Sequence, residues 1–328
     1  MNHRSLGNIG SVSEVGYGAW EIGSDWGPVA EQEAKRALKA AYEAGVDFFD
    51  TADVYGDGRS ERFIREVLRD EIDSGEVTVA TKAGRRLDPH TVEGYTESNL
   101  RAFVDRSREN LDVETLDLVQ LHCPPTDAYY RPAIFAAMDN LAEEGRINAY
   151  GVSVEKVEQG LKAIEYPNVD TVQIIFNPFR QRPKELFFDE AARRNIGVIV
   201  RVPLASGLLT GNLGLDTEFA EDDHRNFNRE GEAFDVGETF AGVPYDVGLR
   251  AVDELESYCP DRLSMAQLSL RWILDHSAVS TVIPGSTTPS HIKSNGAAST
   301  ADSLDKKTHQ AIERVYDEHI HEYVHHQW

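Results

Sequence analysis

The chain has 328 residues, 56 of them Asp or Glu against 33 Lys or Arg, for a formal net charge of −23 at pH 7. Such a charge repels phosphate backbones and anionic headgroups, which argues against nucleic-acid and membrane-surface partners. Two cysteines are too few for a disulfide framework, no apolar run approaches the roughly 20 residues of a membrane span, and Met1 to Gly10 has no signal-peptide pattern, so a cytoplasmic location is expected.

Taken in order, short β-rich runs alternate with longer amphipathic ones. Gly16–Ile22 precedes a helical segment, Glu31–Ala44, with Ala34, Leu38, Ala41 and Tyr42 on one face. Phe48–Asp53 precedes Glu61–Asp73. Val77–Ala83 precedes Thr96–Leu111, whose Thr96-Glu97-Ser98 start reads as a helix cap. Leu116–Cys123 precedes Pro132–Glu144, Ala149–Ser153 precedes Val157–Ile164, and Thr171–Asn177 precedes Glu185–Asn195. Gly197–Leu204 opens a long stretch before the helix Val247–Ser257, and Thr281–Ser286 precedes His291–Ala298. Eight strand-then-helix units in one unbroken series predict a (β/α)₈ TIM barrel as a single domain, residues 1–328. The competing doubly wound sheet normally carries a G-x-G-x-x-G turn after its first strand, and none is present. Two segments stand outside the series. Gly207–Pro244 is too long and polar for an ordinary connection and reads as disordered or as a lid, and Asp302–Trp328 reads as an extra C-terminal helix with a polar tail.

The strand ends collect the chemistry. Asp50 and Tyr55 follow strand 2, Lys82 lies within the apolar strand V-T-V-A-T-K-A-G, and His122 ends L-D-L-V-Q-L-H-C. Adjacent parallel strands bring these four to one mouth of the barrel, where such enzymes place their sites. A lysine in an apolar strand needs a partner, and Asp50 is the natural one. Taken singly each residue has a plainer reading: a helix-capping carboxylate, a loop phenol, a lysine snorkelling between helices, a satisfied core histidine. Together they suit carbonyl reduction. A phenol is a poor proton donor until its anion is stabilised, and a neighbouring ammonium does that. The hydride must come from a cofactor, because no side chain supplies one.

With these four residues so placed, the chain resembles the aldo-keto reductases over nearly its whole length. L-G-N-I-G-S-V-S-E-V-G-Y-G-A-W-E-I-G is similar to their N-terminal β-hairpin and first strand, and Asp50, Tyr55, Lys82 and His122 match their catalytic tetrad in order and spacing. The resemblance implies reversible reduction of an aldehyde or ketone with Tyr55 as general acid and base, and a nicotinamide cofactor extended across the barrel mouth. Ser153 and Gln173, with Asp50 and Trp20 nearby, are then the nicotinamide end. R-V-P-L-A-S-G-L-L-T-G is similar to the loop that straddles the cofactor and supplies Arg201, Pro203, Leu204, Gly207, Leu209 and Gly211, with Gly207 and Gly211 against the pyrophosphate. I-P-G-S-T-T-P-S-H-I-K-S-N supplies Ile283, Gly285, Ser286, Thr287, Thr288, His291 and Asn295 around the adenosine phosphate. Departures from the pattern are Val154 for Asn, Arg201 for a stacking aromatic, Gly285 and His291 for Lys and Arg, and Ser294 for a carboxylate. NADP is expected, held by Ser286, Thr287 and Thr288, with NAD or dual use open. Trp20, Trp26 and Pro124–Tyr130 are expected around a small carbonyl or alcohol substrate. A second class stays open, a cofactor-binding redox-sensing regulatory subunit such as the potassium-channel β-subunits of that family.

Three motifs carry no chemistry on this reading, and no metal is expected. His321-Glu322-Tyr323-Val324-His325 spells H-E-x-x-H but lacks a third ligand downstream. Asp50, Asp53 and Asp57 lack the spacing and closing Glu of a calcium loop, and Ser153-Val154-Glu155-Lys156 lacks the other parts of an acylation site. Lysine supplies only nine of the 33 cations. With this acidity, the depletion points to a salt-rich cytosol, where a Debye length of about 3 Å near 1 M screens self-repulsion.

Overall fold

The computed structural model describes residues 1–23 and 29–328. Strands β1 (His3–Ser5) and β2 (Ser11–Ser13) pair antiparallel, and eight parallel strands follow: β3 (Tyr17–Gly18), β4 (Phe48–Asp50), β5 (Thr78–Ala83), β6 (Leu116–His122), β7 (Ile147–Ser153), β8 (Val169–Ile175), β9 (Gly197–Arg201) and β10 (Val279–Val282). They neighbour one another in chain order, and a bridge between Val15 and Val282 closes the sheet, with Gly16 N–H on Val282 O at 2.9 Å. The result is a (β/α)₈ barrel. Its floor is the hairpin, whose Leu6 and Val12 pack with Phe48, Ala80, Leu118, Ala149, Ile199 and Ile283 inside the barrel. A Cβ on Gly197 would stand 2.7 Å from Leu6 Cδ1, so glycine lets the hairpin seat that closely.

The helices are α1 (Trp20–Gly23), α2 (Glu31–Glu43), α3 (Arg59–Val67), α4 (Arg69–Ser74), α5 (Glu97–Leu111), α6 (Pro132–Glu143), α7 (Val157–Ala163), α8 (Phe187–Arg193), α9 (His224–Phe227), α10 (Tyr245–Glu256), α11 (Met265–Leu274), α12 (Pro289–Ala297), α13 (Lys306–Val315) and α14 (His321–Val324). Each barrel helix turns its apolar face inward. On α2 the buried residues are Ala34, Ala37, Leu38 and Ala41, and Thr96 caps α5 by accepting from Asn99 N–H at 3.2 Å.

Several elements differ from the sequence expectation. Only Tyr17–Gly18 of the first strand is extended, because Trp20–Gly23 coils into α1 across the mouth; its apolar residues bury as well in a helical turn as in a strand. Glu61–Asp73 is two helices that meet at Leu68, whose φ −118 and ψ 32 break the ladder. A second helix, α11, separates α10 from β10; its start is a capping box in which Ser264 and Gln267 satisfy each other's backbone N–H. The Gly207–Pro244 segment is an ordered lid, with Asp223, His224, Asn228, Glu238 and Thr239 buried and α9 inside it. The C-terminal tail is not polar at its tip. Trp328 is buried, donates from Nε1 to Asp235 Oδ1 at 2.9 Å and stacks under the Arg180 guanidinium, so it pins the base of the lid.

Candidate active site

Four neighbouring strands supply a buried polar row. Lys82 on β5 pairs in register with Gln120 on β6, and Ser153 on β7 with Gln173 on β8, so their side chains share the interior face. Lys82 Nζ donates to Asp50 Oδ1 at 2.5 Å and Thr51 O at 2.8 Å, and lies 3.4 Å from the Tyr55 hydroxyl. An ammonium has three protons, and these three oxygens satisfy it. The other carboxylate oxygen of Asp50 accepts from Gln173 Nε2 at 2.7 Å and Gln120 Nε2 at 3.0 Å. Lys82 and Asp50 are 1% and 3% exposed, so water cannot compete for either.

Tyr55 sits on the loop between β4 and α3, its ring 5.0 Å from Lys82 Nζ and edge-on to His122 at 6.0 Å. A Cβ on Gly23 would stand 2.6 Å from Tyr55 Cβ, so α1 holds the tyrosine by close backbone approach. Burial pushes the phenol above its usual range, and the Lys82 ammonium pulls the other way. Burial first, then the charges of Arg85, Lys82 and Arg201, hold His122 well below the usual imidazole range, so it is neutral at pH 7. Its Nδ1 is buried without a partner.

Two cavities meet at this group. A cleft of about 500 Å³ runs from Asp50, Tyr55, His122, Ser153, Gln173 and Arg201 past Pro203, Leu204 and Gly207 to Ile283, Gly285, Ser286, His291 and Asn295. A second cavity, about 630 Å³, opens from Tyr55 and His122 toward Arg85, His90, Thr126, Glu155, Gln159 and Asp235. Trp20 borders both and packs under the lid, 4.8 Å from the His224 ring and 5.7 Å from Phe234.

Not every residue expected at the cofactor faces this cleft. Leu209 is fully buried in the hydrophobic core, because the turn containing it packs toward α10 and α11. Gly211 ends that turn at φ +74, its absent Cβ directed at Glu256 and Met265. Thr287 turns toward Glu21, and Thr288, at the N-cap position of α12 without a side-chain cap, donates its N–H to Ser286 Oγ. Lys82 lies beneath the cleft floor, reaching it through Tyr55. Around the second cavity, Pro124, Pro125 and Thr126 line the wall, whereas Ala128 and Tyr129 are core and Tyr130 is exposed. Trp26 lies outside the described residues.

Other residues enter that the sequence reading did not single out. Glu238, from the lid, receives Arg85 Nη2 at 2.5 Å and has Arg201 Nη1 at 3.6 Å. Against the upward push of burial, those two guanidiniums hold Glu238 down to about 2. Glu155 beside them is pushed up to about 7 by burial and by the charges of Asp235 and Glu238. Arg85 and Glu155 each follow a barrel strand within three residues, a position that marks them in the sequence. Glu238 carries no such local signal. Cys123, Glu155 and Glu238 have metal-ligand spacing, but Arg85 and Arg201 already supply the positive charge there.

The sequence profile described as the Aldo/keto reductase family matches residues 14–317. Among curated proteins, the chain is similar to the Bacillus subtilis aldo-keto reductase YhdN, 28% identical over 301 residues that cover 89% of this chain and 87% of that protein. It is equally similar to a probable voltage-gated potassium channel subunit beta of rice, Oryza sativa subsp. japonica, 28% identical over 330 residues and 96% and 95% of the two chains. Among solved structures, the glycerol dehydrogenase of Gluconobacter oxydans superposes with a TM-score of 0.75 at 26% identity, covering 97% of this chain and 96% of that one.

Proposed function

Because the chain belongs to the aldo/keto reductase family, we propose that residues 1–328 form one catalytic domain that reduces small aldehydes or ketones to alcohols, reversibly, with a nicotinamide dinucleotide. One observation carries the reading: the Tyr55 hydroxyl stands where the two cavities meet, with a buried, paired ammonium 3.4 Å away.

The cleft fits the cofactor. His122 Nδ1 and Arg201 Nε are buried without partners, and both side chains line it. Ser153, Gln173 and Arg201 would hold the nicotinamide end, Pro203, Leu204 and Gly207 the middle, and Ile283, Gly285, Ser286, His291 and Asn295 the adenosine end. When bound, the reduced nicotinamide supplies the hydride for the carbonyl carbon. Tyr55 supplies the proton to the carbonyl oxygen and, in the reverse direction, removes it. Lys82 stabilises the phenolate left behind, and Asp50 keeps Lys82 charged and aimed. His122, kept neutral by its surroundings, donates a ring N–H that orients the substrate oxygen. The lid excludes water above them. The reducing cytoplasm expected from the sequence suits Cys123 and Cys259, both free thiols.

The rice relative is named a probable channel subunit, which favours a second reading of this chain as a regulatory subunit; on that reading it would hold the cofactor and turn over negligibly. Oxidation of NADH and NADPH by the purified protein, with a panel of small aldehydes, ketones and sugars in concentrated KCl, separates the two. Turnover with at least one carbonyl is expected. Tight cofactor binding with no carbonyl reduced would leave the regulatory reading standing.

A further inference from the structure

Glu21 lines the cofactor cleft and has no part in the chemistry above. It lies on α1, half-buried, and its carboxylate points across the cleft to the loop that leads from β10 into α12. There it accepts from Thr287 Oγ1 at 3.4 Å, and the Thr287 backbone N–H lies near enough to favour its charged form. These donors lie two residues before Pro289, the first residue of α12, where free N–H groups and the helix dipole favour an anion. The loop therefore already holds a negative group, supplied by the chain itself.

The surroundings reinforce that assignment. Gly285 sends no side chain into the space; a Cβ there would come 3.9 Å from Glu21 Oε2, so this loop position contributes no cation. Burial first, and then the negative charge of Glu33, raises the Glu21 carboxyl from its usual range, while the Thr287 hydroxyl holds it toward the charged form. Arg225, on the lid, acts on Glu21 with the opposite sign, but its guanidinium is engaged by Asp223, with Nε to Oδ1 at 3.0 Å and Nη2 to Oδ2 at 2.6 Å. A ribose phosphate brought to Ser286 and Thr287 would meet a carboxylate that occupies its donors and repels its charge. A free ribose hydroxyl would meet an acceptor.

We propose that Glu21 is a built-in substitute for the ribose 2′-phosphate, so that this cleft selects NAD(H) over NADP(H). The proposal reverses the NADP expectation drawn from the sequence and rests on the reading that a nicotinamide dinucleotide lies in this cleft. Isothermal titration of the full-length protein with NADH, NADPH, 5′-AMP and 2′,5′-ADP, without any carbonyl, tests it independently of turnover. The parent should bind NADH at least tenfold more tightly than NADPH, and 5′-AMP more tightly than 2′,5′-ADP. Glu21→Gln should gain tenfold or more for NADPH while losing a few-fold for NADH, and Glu21→Ala should move the same ratio the same way. A parent that prefers NADPH, or substitutions that leave the ratio unchanged, would overturn the role of Glu21 and leave the carbonyl-reductase reading intact. Failure of both dinucleotides to bind would overturn the two together.

Discussion

Replacing Lys82 by methionine isolates the buried pair on which the proposed chemistry depends. Lys82 and Asp50 are 1% and 3% exposed and share a 2.5 Å contact, so the substitution strands a carboxylate whose remaining donors are the Gln120 and Gln173 amides. Breaking a buried pair from one side costs about 3–5 kcal/mol. At about 2.1 cal/mol/K of unfolding entropy per residue over 328 residues, about 0.7 kcal/mol/K in all, the melting temperature should fall by about 4–7 °C. Adding Asp50→Asn removes the stranded charge, and at least about half of that loss should return. The chemistry should not return with it, because the phenolate still lacks its cation; single-turnover cofactor oxidation should be down by about 10²–10⁴ in both variants. Thermal melts and stopped-flow traces on the same preparations measure the two effects. A Lys82→Met protein that melts within about a degree of the parent, or a double variant less stable than the single one, would refute the electrostatic reasoning.

Asp53 is fully buried with no hydrogen-bond partner for either carboxylate oxygen, and burial, then Glu61, pushes it up to about 7. Its folded value lies above its unfolded one, so the penalty is absent below about pH 4, grows as pH rises and is complete above about pH 7. Asp53→Asn should therefore gain up to about 4 kcal/mol at pH 8 and nothing near pH 4 in urea titrations; an equal gain at both would contradict the assignment. A net charge of −23 predicts a urea midpoint that rises from 0.1 to 3 M KCl, and a protein most stable in dilute buffer would remove the salt-adaptation argument. Trp328→Ala empties the site against Gly237 and Gly242 at the lid base and should cost about 3–5 kcal/mol, with faster proteolysis within residues 213–243; unchanged cleavage would show that the tail does not hold the lid.

The barrel and the buried polar row at its mouth were legible because both follow from local pattern. Each strand carries its own apolar run, and a lysine such as Lys82 inside one announces a partner close by. The register that sets Ser153 beside Gln173 follows from consecutive parallel strands. Where local signals competed, the outcome was less clear. Trp20–Gly23 is apolar enough for a strand and becomes a helical turn, and the Ser264 to Gln267 box opens α11 in a region that eight simple units leave unassigned. The charged features of the site are nonlocal. Glu238 meets Arg85 across 153 positions and Glu21 meets Thr287 across 266, and no periodicity links such pairs. Glu21 carries no local signal for the same reason: it reaches Thr287 only once β3 and β10 have closed the barrel.

The proton donor is the centre of the account, and Tyr55→Phe tests it most directly. Single-turnover oxidation of bound cofactor should be measured with the best carbonyl from the panel, alongside cofactor affinity. The phenylalanine keeps the ring against His122 and Gly23 while removing the hydroxyl 3.4 Å from Lys82, so affinity should stay within about threefold and the rate should fall by about 10³ or more. A variant that reduces the carbonyl at the parent's rate would show that the proton comes from elsewhere.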